Sequence, residues 1–295
     1  MQFDVNENNI PLQKIEANFL TKKNVAFFIL REDLIHPTIS GNKWRKLKYN
    51  IVEAKEKGFD TIITFGGAFS NHIAATAAAG KIFGLKTIGI IRGEEVSNAT
   101  LDLAIENGMK LQFVSREEYK KKDASLFPNC YVIPEGGSNT LAVKGCSEIV
   151  NSITIDYDII CCACGTGGTI AGIISSTNKE VLGFPALKGG EFLIEDIQEL
   201  LSKYNSEEKY SNWKLITDYH FGGYAKLKPD LIEFIRKFNV KHNILLDFIY
   251  TGKMFFGLYD LIKNTNQLDN KTIIVVHTGG IQSNKGFEER FGITL

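Results

Sequence analysis

The sequence has no excess of charge of either sign: lysine plus arginine number 34 in 295 residues, and so do aspartate plus glutamate. Without a net field, the electrostatic term that draws proteins to nucleic acids or anionic membranes is missing, and neither is expected as a partner. An unbroken apolar run is missing too. The nearest approach, Ile159 to Ser176, is interrupted by Gly165-Thr166-Gly167-Gly168-Thr169, whose backbone groups would go unsatisfied in lipid, so it reads as buried strand, turn and helix. Met1-Gln2-Phe3-Asp4-Val5-Asn6-Glu7 has neither the basic start nor the apolar core of a signal peptide, so a cytoplasmic location is expected. The five cysteines are an odd count, and Cys161, Cys162 and Cys164 share one expected strand with no matching Cys or His cluster elsewhere. That excludes a disulfide framework, and alternation of strand side chains keeps the three thiols from meeting on one metal ion. Internal repeats, low-complexity tracts and long linkers do not occur.

What is present is globular in character, with 44% hydrophobic and 23% charged residues and enough chain for a large core in two domains. Strand-like and helix-like stretches alternate. Phe27 to Arg31, Thr61 to Phe65, Thr87 to Ile91, Lys110 to Val114, Tyr131 to Ile133, Tyr157 to Cys161, Glu180 to Pro185 and Thr272 to Val276 read as strands. Ile216 to His220 reads as a further strand after a polar surface excursion from Lys203 to Lys214. Helical periodicity follows Lys43, Ser70, Leu101, Leu141, Ile170, Ile194, Leu231 and Met254. The alternation predicts an α/β fold with parallel sheets joined by right-handed crossovers.

In open α/β sheets ligands collect at the carboxyl ends of strands, and the polar clusters here fall at those ends. Ile39-Ser40-Gly41-Asn42-Lys43-Trp44-Arg45-Lys46-Leu47 puts Lys43 at a helix start, where free N–H groups and the macrodipole lower the proton affinity of an amine. An amine that deprotonates easily is a nucleophile toward carbonyls. Alternatively, Lys43, Lys46 and Lys48 are solvated charges on one helix. Gly165 to Thr169, covering Gly165, Thr166, Gly167, Gly168 and Thr169, can wrap N–H groups and two hydroxyls around a phosphate, or can be a plain connector. It fits neither G-x-x-x-x-G-K-[ST] nor G-x-G-x-x-G. Ser70-Asn71-His72 is either a helix cap or a carboxylate site built from the same N–H groups. Tyr224 and Tyr250 flank glycine turns and read as core aromatics or as phenols aimed into a cleft. His277 and Thr278 end the last strand, where a hydroxyl could face a ring nitrogen.

Arg31-Glu32-Asp33-Leu34, Gly41-Asn42-Lys43 with Arg45-Lys46-Leu47, Ser70-Asn71-His72, Pro134 to Asn139, Thr166 to Thr169, Tyr250-Thr251-Gly252-Lys253 and His277-Thr278-Gly279-Gly280 occur in this order. In that order they resemble the fold-type II pyridoxal phosphate enzymes of the 1-aminocyclopropane-1-carboxylate deaminase and D-cysteine desulfhydrase family, over most of the chain. The resemblance implies a tryptophan-synthase-β-like fold of two open, twisted, mostly parallel sheets flanked by helices. A smaller domain, 47–140, would lodge within a larger one of 1–46 and 141–295, with the cofactor between them. It further implies Lys43 as the Schiff-base lysine and base, Asn71 at the cofactor's 3-hydroxyl, Gly165 to Thr169 at its phosphate, and Thr251 among the other residues that contact the cofactor. Ser70, with Asn71 and His72, would meet the substrate carboxylate, Ser70 alternatively serving as a nucleophile, while Tyr224 and Tyr250 flank the substrate and Thr278 approaches the pyridine nitrogen. Ring-opening members carry glutamate at the position of Thr251 and leucine at that of Thr278, and desulfhydrases carry threonine at both, so a small amino acid such as D-cysteine is the expected substrate, with ring opening of 1-aminocyclopropane-1-carboxylate and a catalytically inactive ligand-binding homologue as the alternatives. A homodimer is the implied assembly. Ser40 departs from the glycine common in the family.

Overall fold

The computed structural model describes residues 5, 7, 9–123 and 127–295; most of the N-terminal stretch read for a signal peptide lies outside them. The chain enters through β1 (Leu12–Ile15), α1 (Asn18–Lys22) and β2 (Ala26–Leu30), then α2 (Asn42–Glu56). There follow β3 (Thr61–Gly66), α3 (Asn71–Phe83), β4 (Lys86–Arg92), α4 (Ala99–Glu106), β5 (Lys110–Val114), α5 (Arg116–Lys121) and β6 (Tyr131–Ile133). After α6 (Thr140–Ser147) come β7 (Ile159–Cys164), α7 (Gly168–Ile174), β8 (Glu180–Pro185), α8 (Leu193–Tyr204) and β9 (Trp213–Leu215). The chain ends with α9 (Pro229–His242), α10 (Thr251–Asn264), β10 (Thr272–Val276) and α11 (Ser283–Phe291).

Two sheets result, a six-stranded one in the order β1-β2-β10-β7-β8-β9 and a four-stranded one in the order β5-β4-β3-β6. All pairings are parallel except β1 with β2. The smaller sheet is drawn wholly from strands between 61 and 133, inserted between β2 and β7 of the larger. β10 is central, pairing with β2 on one side and β7 on the other, which explains its unbroken apolar run. The same logic sorts the cysteines. Cys161 packs in the core on one face of the six-stranded sheet, whereas Cys162 and Cys164 pack in the core on the other.

α2 joins the two halves. Trp44, Leu47, Ile51 and Ala54 are fully buried, and the helix packs against α3 on one side and α6 on the other. Its start is fixed by Gly41, at φ 64°, where a Cβ would lie 1.9 Å from the Thr278 carbonyl oxygen, so only glycine permits this approach. Arg45 anchors the helix inside: its guanidinium donates to both Glu32 oxygens, at 2.9 and 3.1 Å, and lies 3.3 Å from Glu7 and 3.4 Å from Glu148. Burial pushes Glu32 above its ordinary carboxyl range even with Arg45 beside it.

Three sequence expectations shift. The segment Ile216 to His220 is not a strand; the edge strand is β9, three residues earlier, ending where Leu215 pairs with Gly183. Beyond Ile216, whose N–H still donates to the Gly183 carbonyl (2.8 Å), the chain is drawn off the sheet by Tyr219, which donates to Asp260 at 2.7 Å. The last part of the expected surface excursion is therefore strand. α10 begins at Thr251 rather than Met254, because Asp247 caps it. Among the described residues no helix is long and apolar enough to cross a membrane.

Candidate active site

A cleft lies at the carboxyl ends of β3, β7 and β10, and the starts of α2, α3 and α7 open into it. It is lined by Lys43, Ser70, Asn71, His72, Gly165, Thr166, Gly167, Thr169, Tyr250 and Thr278, residues singled out from sequence, together with Asn42 and Lys46. Residues separated by more than two hundred positions thus share one wall. Gly168 lies just behind it, at the first turn of α7.

Lys43 donates to the Asn42 side-chain oxygen (3.0 Å), and the Asn42 amide donates to the Thr169 hydroxyl (2.8 Å). This relay ties the amine to the glycine turn. The Lys43 pKa is pulled down to about 7, first by burial and then by the nearby Lys46 charge. The direction is the one expected from sequence, but its leading causes are desolvation and a like charge rather than the helix start. Since the neutral amine is the reactive form, the rate at which apoprotein couples to pyridoxal phosphate is expected to climb with pH through about 7 and then level off. Following visible absorbance against pH checks this, and a rate still climbing toward pH 10 contradicts it.

Lys46, one helical turn beyond Lys43, was read from sequence as part of a motif or as a solvated charge. It is 3% exposed and donates to the Gly136 carbonyl (2.9 Å), Ser138 Oγ (3.0 Å) and Thr166 Oγ1 (3.4 Å). Among the described residues no acidic side chain pairs with it; burial lowers its pKa from the usual lysine value, and the amine faces the glycine turn with only neutral partners. The i, i+3 spacing from Lys43, which puts both on one helix face, was the signal that could have found it. The turn itself is tight. A Cβ on Gly168 would stand 2.6 Å from Ser138 Oγ and 3.2 Å from Lys46 Nζ.

Ser70 caps α3, its hydroxyl accepting from the Ile73 N–H. The N–H groups of the first turn have no helical acceptor and face the cleft side. Asn71 is 5% exposed and its Oδ1 has no partner among the described residues. His72 is buried and held far below its usual pKa by burial and by the charges of Lys43 and Lys46. Thr64 Oγ1 donates to the Ile133 carbonyl (2.8 Å), so it accepts from His72 Nε2 (2.8 Å), leaving His72 Nδ1 as a bare acceptor.

Tyr250 lies against Gly165, whose added Cβ would touch its ring at 3.1 Å, and its ring packs on that of Tyr224. The rings meet edge to face at 6.2 Å between centroids. Tyr224 thus reaches the cleft through Tyr250 rather than lining it. Burial raises both phenols, keeping them protonated at neutral pH. Thr251 does not line the cleft. Its hydroxyl donates to Asp247 at 2.6 Å and accepts from the Asp247 N–H at 2.8 Å, so the residue expected at the cofactor is spent on the start of α10. His277 aims the last turn: Nε2 donates to the Leu245 carbonyl (2.9 Å) and Nδ1 accepts from the Gly279 N–H (3.2 Å), which sets Thr278 at the cleft.

A phosphorylated aromatic aldehyde fits these groups. The unpaired Asn71 oxygen and the uncompensated Lys46 ammonium are both relieved by a ligand carrying a polar ring substituent and an anionic tail, and Lys43 offers an amine to its aldehyde. Fold and site together define an enzyme dependent on such a cofactor. The profile of the family of pyridoxal-phosphate dependent enzymes matches residues 5–279, and the chain belongs to that family. Its relatives place it in the 1-aminocyclopropane-1-carboxylate deaminase and D-cysteine desulfhydrase branch. A Thermotoga maritima protein named "Putative 1-aminocyclopropane-1-carboxylate deaminase" is 32% identical, with 95% of this chain and 96% of that protein covered. The mitochondrial bifunctional D-cysteine desulfhydrase/1-aminocyclopropane-1-carboxylate deaminase of Arabidopsis thaliana is 30% identical over 86% of this chain and 72% of its own length. A crystal structure of an ACC deaminase homologue superposes with a TM-score of 0.84 at 29% identity, covering 96% of this chain and 92% of that one.

Proposed function

We propose that this enzyme converts D-cysteine and one water to sulfide, pyruvate and ammonia, the water supplying the keto oxygen. The observation carrying this is that the position where ring-opening relatives need a carboxylate is here Thr251, turned into the α10 cap, so no acid from that position enters the cleft. Ring opening of 1-aminocyclopropane-1-carboxylate is the second reading, supported by the names of the relatives. Bound pyridoxal phosphate supplies an electron sink for the pair left at the α-carbon. In this reading Lys43 takes the α-proton with an amine already neutral near pH 7. The N–H groups opening α3 and the Ser70 hydroxyl hold the substrate carboxylate, which fixes the breaking bond. Tyr250, backed by Tyr224, flanks the side-chain leaving group as a proton donor. Asn71 meets the cofactor's ring oxygen, and Thr278 the ring nitrogen.

Lys46, with Gly165 to Thr169, holds the phosphate. Lys46→Met is expected to weaken cofactor binding about 10- to 100-fold, the worth of a charge-assisted hydrogen bond. Titration of apoprotein with pyridoxal phosphate measures it, and unchanged affinity would remove Lys46 from the phosphate. The cleft separates the four-stranded unit, about 47–140, from the remainder, which supports a division into 1–46 with 141–295 and an inserted smaller domain. Five free cysteines accord with a cytoplasmic setting, and we take the assembly to be a homodimer. The deciding assay supplies D-cysteine, D-serine and 1-aminocyclopropane-1-carboxylate side by side. Pyruvate and sulfide from D-cysteine are expected; 2-oxobutanoate as the principal product would favour the second reading.

A further inference from the structure

Lys253 belongs to none of the groups above, yet it is a lysine only 2% exposed. Its ammonium has three N–H bonds and meets three backbone carbonyls: Gly223 at 2.7 Å, His220 at 3.0 Å and Ala186 at 3.2 Å. Two of those carbonyls belong to the 220–225 loop that carries Tyr224. That loop is strained. Phe221 and Ala225 hold φ of 54° and 56°, where side chains are disfavoured, with Gly222 at 95° and Gly223 at 119° between them. A backbone in this state persists only where its surroundings hold it. Tyr219 and Phe221 grip α10 from the same side, through Asp260 at 2.7 Å and an edge-to-face contact with Phe256 at 4.9 Å. Lys253 alone of these reaches the turn at Gly223, one residue before Tyr224, and it stands on α10, the helix whose start carries Tyr250.

We infer that Lys253 is a positioning residue for catalysis: its buried ammonium, by collecting the Gly223, His220 and Ala186 carbonyls, clamps the strained loop so that Tyr224 stays packed edge to face on Tyr250. The inference rests on the reading of Tyr250, backed by Tyr224, as flanking the substrate. Without the clamp the loop relaxes toward negative φ and Tyr224 swings away, while Lys43 and the phosphate turn are untouched. Lys253 thereby acts through Tyr224.

The test is a double-mutant cycle of Lys253→Met with Tyr224→Ala in the cofactor-loaded protein, with amide hydrogen exchange as a readout independent of any substrate. Lys253→Met is expected to keep the visible cofactor band, to speed exchange of amides 220–225 at least about tenfold, and to lower kcat/KM at least about tenfold. In the Tyr224→Ala background the same change is expected to lower kcat/KM less than about twofold. Equal losses in both backgrounds, or wild-type exchange in the loop, would overturn the clamp. Faster loop exchange with a Tyr224→Ala enzyme of full activity would keep the loop geometry but overturn its catalytic reading. Should Lys253→Met not fold, Lys253→Gln, which retains two donors, carries the same cycle.

Discussion

Replacing Lys43 by alanine is expected to abolish the visible absorbance of cofactor-loaded protein and to lower turnover by about 10³-fold or more. The loss combines two contributions, a covalent anchor and a general base, the second alone worth about 10²- to 10⁴-fold. The fold should survive, since the ammonium makes a single hydrogen bond, to Asn42, and lines a cleft rather than a core. Spectra and steady-state rates on the purified variant provide the check. Retained absorbance would exclude Lys43 as the anchor, whereas lost absorbance with a normal rate would exclude it as the base.

Asp247→Ala is expected to have the largest effect on stability. This side chain is wholly buried and accepts from the N–H groups of Ile249 (2.8 Å), Tyr250 (2.7 Å) and Thr251 (2.8 Å) and from the Thr251 hydroxyl (2.6 Å). Alanine would strand several donors out of reach of water, at a cost on the order of 3–5 kcal/mol, or roughly a 10 °C fall in Tm. Because three of the four stranded groups belong to Tyr250 and Thr251, activity should fall more than stability requires. Calorimetry with activity measured well below the transition separates the two, and a Tm within a degree or two of the parent would contradict this role.

Much of this was legible in the sequence because it is local. Strand and helix alternation, the glycine at 41 before a helix, and Ser70 opening an alanine-rich helix are all written within a few consecutive residues. What escaped depends on partners distant in the chain. Lys46 reads as a solvated charge until Gly136, Ser138 and Thr166 close around it, and Thr251 reads as a site residue until Asp247 takes its hydroxyl. Ile216 to His220 has the composition of a strand, yet the edge of the sheet is already filled by Trp213 to Leu215, and Tyr219 is claimed by Asp260. Lys253 stood out only as the end of the Tyr250-Thr251-Gly252-Lys253 stretch, since nothing in its neighbours reveals three carbonyls from two other loops. In each case tertiary contacts decide between readings that local spacing leaves equal.

The central claim is that the amine at position 43 carries the cofactor opposite the anion-binding turn at 165–169. Borohydride reduction of the loaded protein, followed by proteolysis and mass spectrometry, tests it most directly. One pyridoxyl group on Lys43 is the predicted result; a group on Lys46 or Lys253, or none on any lysine, would contradict the account.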